Sequence, residues 1–261
     1  MGRAAIVLRK ELSEILSNRS LIASLSGLPI TMVVVSLFVL ATYVRGANDP
    51  SVAAIARWYV GDLGDTPISE AIVQVTLRNA IGLFLAMPVF LPVLIASQSV
   101  AGEKERRTLE PLLATPITAR ELVLGKSLAT VVPATGITLV AFVVFAVGAD
   151  LICWPLLGRL VLPDATFLFA VFVLAPLLSF LGNCISVLIS ARVSDVRLAQ
   201  SLAGLVVMPF VGVVVLQFVG LLAFGPLAYA LTALAALAAD VVMLRVAVRF
   251  FDRDRLLTRW S

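Results

Sequence analysis

Five long apolar runs, each bounded by charge, constrain this chain more than any other feature. They are Ser20 to Val44, Asn79 to Gly102, Ser127 to Ala149, Ala165 to Ala191, and Leu198 to Ala239. A helix needs ~20 apolar residues to cross the hydrocarbon core of a bilayer. The first four runs each fit one crossing. The fifth is about twice as long, with Gly220 and the pair Gly225-Pro226 near its middle, where turn chemistry lets the chain reverse. The expected fold is therefore all-α, a polytopic membrane protein with six transmembrane helices.

Composition supports the same class. Hydrophobic residues make up 61% of the 261 positions and charged residues 14%, an apolar surplus that has to face lipid. The longest polar connection, Arg45 to Arg78, is too short for a soluble domain. The chain thus reads as one membrane domain over residues 1–261. An interfacial helix (1–20) precedes span one (21–44), an outer loop (45–78) and span two (79–101). A cytoplasmic hairpin (102–126) leads into span three (127–149), span four (165–191), span five (198–220), span six (226–247) and a tail (248–261). The first apolar run is too long for a signal-peptide core and reads as a retained anchor.

Lys and Arg concentrate on the cytoplasmic side of membrane proteins. With both termini inside, 16 of the 20 basic residues fall there, and only Arg45, Arg57, Arg78 and Arg159 lie outside. This expects a multi-pass protein of the plasma (inner) membrane. It also accounts for the net charge of +4 through topology, so no nucleic-acid partner is inferred. Without histidine, the commonest metal ligand and proton shuttle is missing. Cys153 and Cys184 fall at different expected depths and are read as structural.

Between Ala5 and Arg19, Ala5, Leu8, Leu12, Ile15 and Leu16 recur at helical spacing, with Arg9, Lys10, Ser13, Glu14 and Ser17 opposite. Such a helix can lie on the inner membrane surface, with Leu8, Leu12, Ile15 and Leu16 as its lipid-facing side, or pack on the body of the protein. Trp58-Tyr59 suits an interfacial belt. Within the spans, Gln98, Ser179, Asn183 and Gln217 read as helix-to-helix hydrogen bonds or pathway contacts. Asp240, the single acidic residue inside a span, reads as a partner of Arg245 or as an ion relay.

The loop Ala101 to Ser127 (AGEKERRTLEPLLATPITARELVLGKS) is the most patterned segment. Charges from Glu103 to Arg107 extend span two; Leu109, Leu112 and Leu113 then form an apolar patch inside a charged rim. Pro116 breaks the run, and Thr118 three residues before Glu121 has capping-box spacing for a helix leading into span three. A patch of this kind is either a docking surface or a second interfacial helix. Gly125-Lys126-Ser127 imitates the tail of a phosphate-binding loop, but the position that needs glycine is Arg120.

This loop resembles the signature cytoplasmic loop of ABC-2 type transporter permeases. Gly102, Glu103, Glu105, Arg106, Thr108, Leu109, Glu110, Leu112, Leu113, Pro116, Glu121, Leu122, Gly125 and Lys126 follow that family's pattern in order. The resemblance implies a permease without catalysis or cofactor of its own, paired with a second permease copy or paralogue. It implies two ABC ATPase subunits that bind ATP and Mg. Glu103, Glu105, Arg106, Arg107, Thr108, Leu109, Glu110, Leu112, Leu113, Pro116 and Glu121 would be the docking residues. The connection between spans five and six is shorter than the family's outer re-entrant hairpin. Rival readings are the permease of cytochrome c assembly, whose loop is similar, a membrane scaffold without transport, and an ATP-independent ion carrier.

Overall fold

The computed structural model describes residues 3–46, 49–60, 67–105, 118–193, 195–218 and 225–250. These form helices α1 (Arg3–Ser17), α2 (Arg19–Arg45), α3 (Pro50–Val60), α4 (Ile68–Glu105), α5 (Ala119–Leu157), α6 (Ala165–Arg192), α7 (Val196–Phe218) and α8 (Pro226–Phe250). One π-helical turn, Ala170–Leu174, interrupts α6. No strand occurs among the described residues. Six helices, namely α2 and α4 to α8, are long and apolar enough to span a membrane. The protein is thus an all-α, multi-pass membrane protein.

Helix α4 is the axle of the bundle. Two-thirds of its span is buried, more than in any other spanning helix, and α2, α3, α5, α6 and α7 all pack against it. Phe38 of α2, Val144 of α5, Leu205 of α7 and Leu231 of α8 point outward and are exposed. In water such a surface would drive aggregation, whereas in a bilayer it is the solvated face.

Because lipid is as apolar as leucine, helix association rests on close packing and hydrogen bonds rather than on removal from water. Small residues supply the close approaches. A Cβ on Gly182 of α6 would lie 3.0 Å from the Val89 carbonyl oxygen of α4, and one on Gly148 of α5 would lie 2.8 Å from the Leu37 side chain of α2. The far half of the core is aromatic. Phe84 of α4, Phe142 and Phe145 of α5, and Phe167 of α6 pack with ring centroids 4.9–5.9 Å apart.

Two helices outrun the spans expected from sequence. Helix α4 starts at Ile68 rather than near 79, and α5 continues to Leu157 rather than stopping near 149. Charges bound the apolar runs, yet Arg78 and Asp150 sit inside continuous helices. Asp150 Oδ1 accepts the amides of Val161 (2.7 Å) and Leu162 (3.0 Å), so this carboxylate organises the α5–α6 corner. Gly158 ends α5 in the left-handed conformation at φ 62°, where a side chain would be strained. Arg159 of the corner ion-pairs with Glu70 in the first turn of α4. The connection between α2 and α4 holds α3, on which Trp58 is exposed.

Candidate functional site

The informative surface lies at the foot of the bundle, the end where α1 meets the start of α5. Its register comes from a local sequence rule. The Glu121 amide donates to Thr118 Oγ1 (3.2 Å), and the Thr118 amide donates back to Glu121 Oε2 (2.9 Å). The Thr118 hydroxyl also donates to Glu121 Oε2, at 2.8 Å. This reciprocal box satisfies donors that the first turn of a helix otherwise leaves orphaned. Thr118→Ala should weaken the first turn of α5 by about 1 kcal/mol. Faster hydrogen exchange at the amides of Glu121 and Leu122 would register the loss, and unchanged exchange would contradict it.

Helix α1 packs chiefly on the first turns of α5. Its buried stripe is Val7, Glu11 and Ile15, spaced by four residues, so the face turned to the bundle differs from the one read from the sequence. Ile15, expected on the lipid-facing side with Leu8, Leu12 and Leu16, instead packs inward. Leu8 and Leu12 are half-buried and Leu16 is exposed, on an open face of α1 that also holds Arg9 and Ser13. The helix therefore carries two apolar sides, one already occupied by the bundle. Asn18 alone separates α1 from α2, and its Oδ1 caps α2 by accepting from the Leu21 amide at 3.1 Å.

Glu11 occupies the centre of the buried stripe, where a carboxylate demands a cation. Lys126 Nζ donates to Glu11 Oε1 at 3.1 Å, with the lysine side chain 4% and the glutamate side chain 11% exposed. Lys10 approaches the same oxygen from the open side at 3.5 Å and also reaches Glu14 at 3.2 Å. The next residue after Lys126 faces the other way. Ser127 Oγ accepts from Asn183 Nδ2 of α6 at 2.8 Å, both residues being fully buried. Around these bonds, Val7, Ala96, Leu122, Val123, Val187, Ala191 and Ala247 make an apolar cluster from five helices. Arg192 at the end of α6 sits over the Phe250 ring at the end of α8, 5.6 Å from its centroid.

Of the expected docking residues, Glu103 and Glu105 lie on the last turns of α4, and Glu121 closes the capping box. Arg106, Arg107, Thr108, Leu109, Glu110, Leu112, Leu113 and Pro116 lie outside the described residues. Sequence reasoning missed Glu11. The available signal was a carboxylate at the middle of the stripe Val7, Glu11, Ile15.

Two of the four span residues read from the sequence make helix contacts, whereas Ser179 Oγ is buried without a hydrogen-bond partner and the side chain of Gln98 lies outside those described. Asn183 binds Ser127, and Gln217 Nε2 donates to the Arg78 carbonyl of α4 at 2.7 Å while its side chain fills the space left by Gly82. Asp240 is buried but has not paired with Arg245, which is exposed; Asp240 Oδ1 has no hydrogen-bond partner. The reason is geometric, since five residues along a helix place the two side chains on different faces. Cys153 and Cys184 are both free and buried. Among the described residues no cluster of three or more Cys, Asp or Glu could hold a metal ion.

A family model described as ABC-2 family transporter protein matches residues 5–235, nearly the whole bundle from α1 into α8. No curated protein matches the chain.

Proposed function

The chain belongs to the ABC-2 transporter family, and from that membership we propose that it is the permease of an ATP-driven exporter, coupled to a separate ATPase through the foot of the bundle. Permeases of this family are the membrane components of ABC transporters. In this reading both termini and the 102–126 segment face the cytoplasm in the plasma membrane, as the bias of basic residues favours. Two permeases, identical or paralogous, enclose the path, and two ATPase subunits bind ATP and Mg.

The observation that carries the reading is the segment from Gly102 to Lys126, whose pattern of charges, leucines and cap joins two helices longer than any bilayer needs. At 1.5 Å per residue, the 39 residues of α5 extend roughly 58 Å against a hydrocarbon core of ~30 Å. Such helices, although α4 carries Pro88 and Pro92 and α5 carries Pro133 and Pro155, reach beyond the membrane and can carry a push from outside it into the packed core. Coupling then requires the ATPase to grip the segment differently in its two nucleotide states.

The test is a triple substitution of Leu109, Leu112 and Leu113 by Asp. It should abolish co-purification with the cognate ATPase while leaving the bundle in the membrane. Undiminished complex formation would remove the segment as the docking surface. Transport itself is read as vanadate-sensitive substrate movement by the reconstituted complex, which a scaffold would not show.

A further inference from the structure

At the foot of the bundle, two consecutive residues of α5 face opposite neighbours. Lys126 reaches α1 through Glu11, and Ser127 reaches α6 through Asn183. The residue before Asn183 is Gly182, where the backbone of α4 at Val89 stands so near that an added Cβ would lie 3.0 Å from its carbonyl oxygen. Four helices are thus joined in sequence, α1 to α5 to α6 to α4, by an ion pair, a hydrogen bond and a backbone contact. The links between them are peptide bonds at 126–127 and 182–183.

We propose that Glu11 and Lys126 are positioning residues for energy coupling: their buried ion pair makes α1 and the foot of α5 move as one body, and Ser127–Asn183 passes that motion to the core. This rests on the coupling reading above. The pair is suited to the task by its surroundings. An exposed ion pair contributes little and slips easily, whereas this lysine is almost wholly enclosed and so holds its partner in one register. Simple adhesion between α1 and α5 would not need charge. Val7, Ile15, Leu122 and Val123 already supply apolar contact on the same face. A buried charge pair costs desolvation that apolar residues would not, so its contribution is register rather than attachment.

The experiment uses the full chain reconstituted with its ATPase, comparing wild type, K126M, E11M/K126M and the swap E11K/K126E. Three quantities are read: co-purification, thermal stability, and permease-dependent stimulation of ATP hydrolysis. K126M leaves Glu11 buried without this lysine and should lose both stability and stimulation. The double methionine restores apolar packing, so stability and ATPase binding should return to wild type. Its stimulation should stay about tenfold down, within the ~5–150-fold span of measured coupling energies. The swap, in which Lys10 keeps its pair with Glu14 at 3.2 Å, should recover stimulation to within about threefold of wild type, short of the ~5-fold lower end of that coupling range.

Full stimulation by the double methionine would overturn the proposal, because the pair would then be packing alone. A folded, ATPase-bound swap that stays uncoupled would overturn it as well. A wild-type chain that neither binds nor stimulates the ATPase would sink the coupling reading and this tie together. A wild type that does both, beside a fully active double methionine, would sink only the tie.

Discussion

Replacing Gly182 by leucine should separate α4 from α6 and cost the protein most of its stability. A Cβ at that position would stand 3.0 Å from the Val89 carbonyl oxygen and 3.6 Å from its Cα. Both are backbone atoms of a helix, so no rotamer change can make room. Alanine already requires the two helices to give by a few tenths of an ångström. Leucine adds three more heavy atoms to a contact that is the most extensive between any two helices here. Overpacking a soluble core typically costs about 1–3 kcal/mol. The cost here should lie at or above the top of that range, because close approach is the main source of helix affinity in lipid. Val89, Leu91 and Ala96 of α4 are all buried beside this seam and would lose their neighbours together. Thermal unfolding of the purified protein in detergent should show a midpoint many degrees lower, with G182A intermediate. A midpoint equal to wild type would mean that α4 and α6 are not held by this approach.

The class and the number of spans were legible in the sequence because lipid imposes them on every residue facing it. Long uncharged stretches can be read without knowing a single contact. Helix ends were less legible where a charge fell inside a helix that continues past the bilayer, as Arg78 and Asp150 do. A charge marks where lipid stops, and α4 and α5 continue beyond that point. At the foot, the Thr118–Glu121 box could be read because both partners lie within one turn. The Glu11–Lys126 pair could not, since 115 positions separate its members and only the packed bundle brings them together. The same distance explains the rotated face of α1. Counting leucines selects the Leu8, Leu12, Leu16 side, whereas the bundle chose the side whose carboxylate met a buried lysine. For Asp240, the sequence offered Arg245 by proximity along the chain, and helix geometry denied the contact.

Phe167→Ala should be the costliest of the single truncations in the aromatic half of the core. Its ring meets Phe142 at 4.9 Å, Phe84 edge-on at 5.7 Å and Phe145 at 5.9 Å, and it is 1% exposed. In a soluble protein, truncating a buried phenylalanine costs about 3–5 kcal/mol, part of it the transfer of the ring from water. Here the separated helices would be solvated by lipid tails, so that transfer contribution largely falls away. What remains is the cavity, which enclosed packing keeps closed to lipid, plus about 0.5–1.5 kcal/mol for the aromatic contacts taken together. A cost of about 2–4 kcal/mol follows. Phe172, five residues along the same helix and 59% exposed, is the control, because its ring already sits in the surrounding solvent. Phe172→Ala should change stability by less than about 0.5 kcal/mol, as surface truncations do. Unfolding both variants by graded addition of denaturing detergent gives the comparison directly. Equal losses would mean that Phe172 is packed as closely as Phe167, and that this face of α6 is covered by protein rather than by lipid. A large loss confined to Phe167 would mean that the chain is held by the fit of its helices, which is what α4 needs if it is to carry motion from the foot into the core without coming apart.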